Sequence, residues 1–177
     1  MASESTPPPF TTLGIVGTGA MGRGIAQLAA QAGLDVMLFD VKEGAVQEAK
    51  AFINGLWQRS VEKQRINAEQ AQHYSERLIE ASELAALAPC DIVVEAIVEK
   101  LEAKQGLFSD LEAILSQRAV LATNTSSLSV TAIAAACQHP ERVIGFHFFN
   151  PVPLMKIAEV IPGLRTTDEV TQRVNAL

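Results

Sequence analysis

The segment VIGFHFFNPVPLMKIAEVI, residues 143–161, carries one ionisable residue in each of two apolar stretches. The stretches are typical of strands on either side of a Pro-rich turn, and strand side chains alternate between two faces. Glu159 shares its face with large apolar residues, where an unpaired carboxylate would be costly. In a symmetric antiparallel hairpin about Pro153, Glu159 lies opposite His147, and opposed Cβ atoms are about 4.5–5.5 Å apart.

A histidine held by a buried glutamate can act as a general base. The carboxylate fixes the tautomer of the ring and stabilises the imidazolium once it forms. The alternative is a structural His–Glu bridge, which is the commoner case for such pairs. The position of His147 and Glu159 beside the nucleotide site described next favours the catalytic interpretation.

GTGAMG, residues 17–22, fits the phosphate-binding pattern G-x-G-x-x-G. An apolar strand is predicted before it at 12–16, and a helical stretch follows at 24–32. In such a loop Gly17 allows the tight turn, Gly19 lets the backbone approach a pyrophosphate, and Gly22 lets helix and strand pack closely. The helix N-terminus then offers free N–H groups to the phosphates. The alternative is a glycine-rich turn that serves packing alone.

Asp40 ends the second predicted strand, at 34–39, at about the spacing of ~20 residues that the dinucleotide pattern requires. A carboxylate there accepts hydrogen bonds from the ribose hydroxyls of adenosine and repels a 2′-phosphate. Val41 follows it, where an arginine could have bound that phosphate. The sequence therefore predicts NAD, rather than NADP, as the cofactor.

Apolar segments that alternate with helical ones predict βαβ units and a parallel sheet. The prediction is an α/β fold of Rossmann type, doubly wound and mostly parallel, with an antiparallel strand or two at the C-terminal end. A helical insertion after the second strand, a pair broken near Asn67, is predicted for the Ala-, Gln- and Glu-rich residues 42–80. Further strands are predicted at 91–97 and 119–123, and further helices at 101–116 and 128–137.

Polar residues follow three of the predicted strands, and ligands bind beyond the carboxyl ends of strands in open α/β sheets. They are Glu99 with Lys104, Asn124 with the two serines after Thr125, and His147 with Asn150. Asn124 and the serines could instead cap the next helix. Capping is the preferred interpretation for Ser127, and both interpretations stay open for Ser126.

Composition excludes several classes of protein. The chain has 177 residues, 48% of them hydrophobic, and a formal net charge of −6, which argues against a nucleic-acid or anionic-membrane surface. No apolar run reaches the roughly 18–20 residues of a membrane helix. Cys90 and Cys137 lack metal-ligand spacing and are interpreted as reduced thiols of a cytoplasmic protein, so no metal site is predicted.

Four motifs together resemble the NAD-binding domain of the L-3-hydroxyacyl-CoA dehydrogenases, which include the 3-hydroxybutyryl-CoA dehydrogenases. They are GIVGTGAMGRGIA, DIVVEAIVEKLEAK, ATNTSSLS and ERVIGFHFFNPVPLMKIAEVI. The last two are far more specific than the glycine motif. The resemblance implies reversible, NAD-dependent oxidation of an (S)-3-hydroxyacyl-CoA to the 3-ketoacyl-CoA.

The resemblance also implies roles for individual residues. His147 is the general base, Glu159 orients it, and Ser126 and Asn150 hydrogen-bond the substrate oxygen. CoA contacts the helical insertion, with Arg59 and Lys63 as candidate contacts. The residues expected around NAD are Gly17, Gly19, Ala20, Met21, Gly22, Asp40, Ala96, Ile97, Glu99, Lys104, Asn124 and Ser126.

The expected organisation is a disordered lead-in at 1–11, an NAD-binding domain at 12–165, and the start of a linker helix at 166–177. The resemblance implies that this helix leads to an all-helical C-terminal domain that forms a homodimer. The chain alone would then bind NAD and catalyse poorly. Two alternatives are an NAD-dependent dehydrogenase of a free hydroxy or sugar acid and a non-catalytic NAD-binding module.

Overall fold

Strands and helices alternate along most of the chain in the computed structural model, which describes residues 10–155 and 157–177. The strands are β1 (Thr12–Val16), β2 (Asp35–Phe39), β3 (Leu78–Glu80), β4 (Ile92–Glu95), β5 (Val120–Thr123), β6 (Val143–Phe148) and β7 (Ala158–Pro162). The helices are α1 (Ala20–Gln31), α2 (Ala45–Glu62), α3 (Ala68–Glu76), α4 (Leu101–Ile114), α5 (Val130–Ala134), α6 (Val152–Met155) and α7 (Asp168–Asn175).

The strands form one seven-stranded sheet in the order β3-β2-β1-β4-β5-β6-β7. Every neighbouring pair is parallel except β6 and β7, which are antiparallel. This confirms the predicted Rossmann-type fold with an antiparallel strand at its C-terminal end. The chain runs outward from β1 to β3 and then returns to β4, so the strand order reverses between β1 and β4, where such sheets open a ligand crevice.

The central strands are buried on both faces, as their nearly continuous apolar sequences predict. In β4, Ile92 and Val94 belong to one core cluster, while Val93 between them belongs to the cluster on the other face. In β5, Leu121 belongs to the second cluster while its neighbours face the first. Polar groups in these strands therefore have no solvated face to occupy.

The helical insertion consists of α2 and α3, and the break falls where it was predicted. The Asn67 side chain accepts a hydrogen bond from the N–H of Gln70, and the Gln70 side chain accepts one from the N–H of Asn67. This reciprocal capping box satisfies donors at the start of α3. None of the helices that the structure describes is long and apolar enough to cross a membrane.

Several element boundaries differ from the sequence predictions. Helix α1 begins at Ala20 and not at 24, because the glycine loop turns directly into the helix. Strand β3 was not predicted, since it is three residues long and two of them are exposed at the sheet edge. Strand β3 forms because it pairs with β2. Its own three residues are too few to show an alternation of apolar and polar side chains. Helix α5 covers only the middle of the predicted 128–137, and the predicted turn contains α6.

The described residues begin before the predicted start of the NAD-binding domain at residue 12. Phe10 is fully buried in the core, and the N–H and hydroxyl of Thr11 donate to the carboxylate of Asp91. The predicted lead-in at 1–11 is therefore too long at its end, and its residues 1–9 lie outside the described part of the chain. The predicted capped helix near the C-terminus is present as α7, which buries Val170 and Val174 in the same core.

Replacing Gly22 by alanine should destabilise the fold. A Cβ at Gly22 would lie 1.8 Å from the carbonyl oxygen of Gly17, a backbone atom that cannot rotate away. We expect Gly22→Ala to lower the free energy of unfolding in urea by about 2–3 kcal/mol. The matched control is Gly106→Ala, because Gly106 is exposed within α4 and an added Cβ meets no atom within 4 Å. It should gain about 0.5–1 kcal/mol, and equal effects of the two changes would contradict this packing argument.

Candidate active site

The glycine loop joins β1 to α1 and packs against the end of β4. Gly17 has a φ of +93°, and a Cβ on it would lie 2.6 Å from the carbonyl oxygen of Ala96. Gly19 caps α1 without a side-chain hydrogen bond, and a Cβ there would meet no atom within 4 Å. The first N–H groups of α1 are thus left for a ligand, and the loop is open where a phosphate would approach.

Asp40, at the end of β2, is bonded to this loop. Its carboxylate accepts hydrogen bonds from the N–H and hydroxyl of Thr18, at 2.7 and 3.0 Å, and from the N–H of Lys42 at 2.9 Å. Partial burial opposes ionisation, but these donors outweigh it and hold the pKa of Asp40 below its usual value. Asp40 is therefore an anion placed at the rim of the glycine loop.

A cleft of roughly 280 Å³ opens beyond the carboxyl ends of β4, β5 and β6. The structure brings nine of the predicted site residues together there: Met21, Ala96, Ile97, Glu99, Lys104, Asn124, Ser126, His147 and Asn150. Phe148 and Phe149 complete its lining and were not predicted. The cleft lies on the opposite side of the strand-order reversal from Asp40. The two ends of a dinucleotide would occupy these two sides.

His147 and Glu159 are opposed across the antiparallel pair, in the register that the symmetric hairpin predicts. The Nδ1 atom of His147 lies 3.0 Å from Oε2 of Glu159. An ionised carboxylate can only accept a hydrogen bond, so in the neutral ring Nδ1 is the donor and Nε2 keeps its lone pair. The His147 ring also packs against Phe149, with ring centroids 4.7 Å apart. Glu159 and Phe149 thus fix the orientation of an imidazole that lines the cleft.

The reason given for this pairing was wrong in one respect, since Glu159 is not buried. Its side chain is 53% exposed, whereas that of His147 is 16% exposed. The apolar neighbours on the same face, Ile157 and Ile161, are themselves 54% and 39% exposed. Strand β7 is the edge strand of the sheet, and all of its residues are exposed or only partly buried. Desolvation therefore does not force the carboxylate to find a partner.

The loop after β5 positions a second group of polar residues. Oδ1 of Asn124 accepts a hydrogen bond from the N–H of Phe148 at 2.9 Å, which joins the ends of β5 and β6 and leaves the amide N–H₂ of Asn124 for a ligand. Ser126 lines the cleft, but Ser127 is not the predicted helix cap. The cap of α5 is Ser129, whose hydroxyl accepts from the N–H of Ala132. The helix simply begins two residues later than predicted.

Glu95 was not singled out from the sequence, because it lies within the apolar run DIVVEAI. It is fully buried and accepts hydrogen bonds from Nζ of Lys104 at 2.5 Å, the hydroxyl of Thr123 at 2.8 Å and the N–H of Ile97 at 2.7 Å. A charged residue inside a strand that is buried on both faces was the available signal. Such a residue must have polar partners at the end of the strand.

Arg59 and Lys63 lie outside this cleft. Arg59 is exposed in the last turn of α2, and Lys63 is the exposed residue that ends the helix four positions later. Residues four apart share a helix face. The two cations therefore form a basic end of the insertion that is separate from the residues around His147.

The fold, the glycine loop and the cleft define a Rossmann-type dinucleotide-binding domain. Comparison with known proteins identifies the family: the family model described as "3-hydroxyacyl-CoA dehydrogenase, NAD binding domain" matches residues 12–177. The chain belongs to the 3-hydroxyacyl-CoA dehydrogenase family and carries its NAD-binding domain, so its cofactor is NAD.

Relatives and solved structures agree with this assignment. The chain is 46% identical over 156 residues to a 3-hydroxybutyryl-CoA dehydrogenase of Bradyrhizobium diazoefficiens, covering 88% of this chain and 53% of the relative. It is 42% identical to a 3-hydroxyadipyl-CoA dehydrogenase of Escherichia coli, covering 92% and 34%. The crystal structure of 3-hydroxybutyryl-CoA dehydrogenase from Escherichia coli K12 superimposes with a TM-score of 0.91 at 42% identity, covering 93% and 35%. The chain thus spans between a third and about half of these proteins.

The bonds to Asp40 should make stability depend on pH. Because the pKa of Asp40 is lower in the folded protein, its ionised form stabilises the fold above the unfolded pKa of about 3.9. That contribution is lost as pH falls through the folded pKa. Since Asp40 is only partly buried, we expect Asp40→Asn to lower the free energy of unfolding at pH 7 by no more than about 1 kcal/mol.

Urea unfolding at several pH values from 7 down to about 3 would measure this difference. The gap between Asp40→Asn and the parent should narrow steadily over the acidic part of that range. Asp110→Asn removes an exposed carboxylate from α4 and serves as the control, with little effect at any pH. A gap that stays constant with pH would show that the carboxylate charge is not what holds the loop.

Proposed function

We propose that the protein catalyses the reversible NAD-dependent oxidation of an (S)-3-hydroxyacyl-CoA to the 3-ketoacyl-CoA. The observation that carries this proposal is the 3.0 Å contact between Nδ1 of His147 and Oε2 of Glu159, at a cleft that also contains Ser126 and Asn150. Relatives named as 3-hydroxybutyryl-CoA and 3-hydroxyadipyl-CoA dehydrogenases support the substrate class.

His147 is the general base in this proposal. Glu159 holds the Nδ1 proton and orients the ring, and Nε2 takes the proton of the substrate hydroxyl. Glu159 also stabilises the imidazolium that results. Ser126 and Asn150 donate hydrogen bonds to the substrate oxygen as it becomes a carbonyl, and they stabilise the charge that develops there. Bound NAD supplies the hydride acceptor.

The dinucleotide is held from two sides. The open backbone at Gly19 and the first N–H groups of α1 bind the pyrophosphate, with Ala20 and Met21 forming the first turn of the helix. Oδ1 of Asp40 has a lone pair left for the adenosine ribose hydroxyls, and the carboxylate repels a 2′-phosphate. At the other end, Ala96, Ile97, Glu99, Lys104 and Asn124 surround the nicotinamide half.

The CoA moiety contacts the helical insertion. Arg59 and Lys63 are exposed cations on one end of α2, which suits the phosphates of a nucleotide. The relatives are longer than this chain. We infer that the complete enzyme is a cytoplasmic homodimer that adds a C-terminal helical domain, while α7 packs into the core of the NAD-binding domain. This chain alone would bind NAD and turn over slowly, because the cleft is open to water.

A second candidate is a dehydrogenase of a free hydroxy or keto compound. One solved structure with a TM-score of 0.85 and 27% identity is titled "Substrate-directed dual catalysis of dicarbonyl compounds by diketoreductase", which names no CoA ester. A non-catalytic NAD-binding module is the third interpretation. The presence of Ser126, His147, Asn150 and Glu159 around one cleft region weighs against it.

The catalytic assignment is tested by replacing His147. Acetoacetyl-CoA-dependent loss of NADH absorbance is measured with this chain and with the longest protein that its gene encodes. We expect His147→Gln to lower kcat by about 10²- to 10⁴-fold, the usual contribution of a general base, with NADH affinity unchanged. His139→Gln is the matched control. His139 does not line the cleft, and its Nδ1 atom lies 3.1 Å from Oε1 of Glu141 at the surface. The proposed substrate would be refuted if this chain and the longest protein both bound NADH and neither of them turned over acetoacetyl-CoA.

Changes at the basic end of α2 should distinguish an enzyme that acts on acyl-CoA from one that acts on a free acid. We expect the double change Arg59→Ala and Lys63→Ala to raise KM for acetoacetyl-CoA by roughly 30-fold, since each of the two lost phosphate contacts removes on the order of 1 kcal/mol. Turnover of free acetoacetate should not change. Lys50→Ala, on the opposite face of the same helix, is the control. If the double change impaired the reactions of acetoacetyl-CoA and of free acetoacetate equally, the result would favour an enzyme that acts on the free acid.

A further inference from the structure

A cluster of three charged side chains forms one wall of the cleft: Lys104 and Glu99 line it, and Glu95 lies behind Lys104. The Nζ atom of Lys104 lies 2.5 Å from Oε1 of Glu95 and 4.0 Å from Oε1 of Glu99. Glu95 and Lys104 are 0% and 1% exposed, while Glu99 is 41% exposed and accepts a hydrogen bond from the hydroxyl of Thr125. The group therefore extends from the sheet interior to the cleft.

Glu95 is surrounded by donors. Besides Lys104, the hydroxyl of Thr123 and the N–H of Ile97 donate to its two oxygens. An ionised carboxylate needs this arrangement, because it can only accept hydrogen bonds. Glu95 thus fixes the ammonium of Lys104 and the backbone of Ile97, and both of these residues line the cleft.

The charges of this wall do not cancel. Two carboxylates and one ammonium leave a net charge of minus one, and the two innermost groups are shielded from water. Charge interactions between buried groups are screened far less than those at a surface. Because Glu95 and Lys104 neutralise each other, the excess negative charge at the cleft is that of the half-exposed Glu99, and loss of Glu95 would leave the buried ammonium of Lys104 uncompensated.

The oxidised and reduced cofactors differ in charge at one end. The nicotinamide ring carries a positive charge in NAD⁺ and none in NADH, and nearby protein charges tune such cofactors. The cleft lies beyond β4 and β5, on the side of the strand-order reversal away from Asp40, where the second half of a dinucleotide is placed. The negative wall thus faces the end of the cofactor whose charge changes.

We propose that Glu95 is a positioning residue that fixes Lys104 and, by keeping this wall net negative, raises the affinity of the domain for NAD⁺ relative to NADH. This inference rests on the identity of the cofactor and on its placement in the proposed function, but not on the substrate. In the purely structural alternative, Glu95 only ties β4 to α4, and its loss weakens both cofactors equally.

The test compares the two oxidation states of the cofactor. The dissociation constant for NAD⁺ is measured by calorimetry and that for NADH by fluorescence, with the parent and with Glu95→Gln. The amide keeps the shape of the side chain and removes one charge. We expect the ratio of the dissociation constant for NAD⁺ to that for NADH to rise by about five- to tenfold. A change of this size is what the loss of one partly screened unit charge near the nicotinamide would give. The control is Asp110→Asn, which removes an exposed charge from α4, the helix that carries Lys104. It should leave this ratio unchanged.

A second variant keeps the test decisive if Glu95→Gln does not fold. Glu99→Gln removes a half-exposed charge from the same wall and should shift the ratio in the same direction, by roughly threefold because solvent screens it more. A ratio that stays constant in the folded variants, even with both affinities reduced, overturns the proposal in favour of the structural role. A shifted ratio without any acetoacetyl-CoA turnover would support this inference while refuting the proposed substrate.

Discussion

Burial of the central strands on both faces is the constraint that places the site. Strands β1, β4 and β5 lie between two core clusters, so a polar side chain within them has no solvated face. Polar chemistry can therefore occur only where the strands end. Because β1 to β6 are parallel, their carboxyl ends meet along one edge of the sheet. Glu95 is the last residue of β4 and fits this rule, because three donors at that edge reach its carboxylate.

This constraint explains why much of the site could be predicted from the sequence. A residue such as Asp40 or Asn124 that directly follows an apolar strand must lie at the ligand edge, whatever the helices do. The glycine positions followed from backbone geometry, and Gly17 does adopt a positive φ against Ala96. The pairing of His147 with Glu159 followed from the period of two and a symmetric connection, which fix the register without knowledge of burial.

Features that depend on partners distant in sequence could not be predicted in this way. Strand β3 exists because β2 offers it an open edge, and its own residues are mostly exposed. The choice of Ser129 over Ser127 as the cap of α5 depends on where the chain leaves the sheet after Thr125, whose hydroxyl accepts from Leu128. The exposure of Glu159 depends on what covers β7, and local sequence carries no record of it.

The two side-chain pairs that glutamates form at the site differ in their burial, and this difference distinguishes a structural pair from a catalytic one. Removing one partner of a buried pair such as Glu95–Lys104 typically costs about 3–5 kcal/mol, so the fold itself retains that pair. A half-exposed pair such as His147–Glu159 is worth only about 0–1 kcal/mol. Stability therefore gives little reason for a histidine to stand opposite a glutamate on an edge strand. A better reason is that Glu159 orients the imidazole while Nε2 remains free. This role requires the pair to be partly exposed, because the proton that Nε2 accepts must be able to leave.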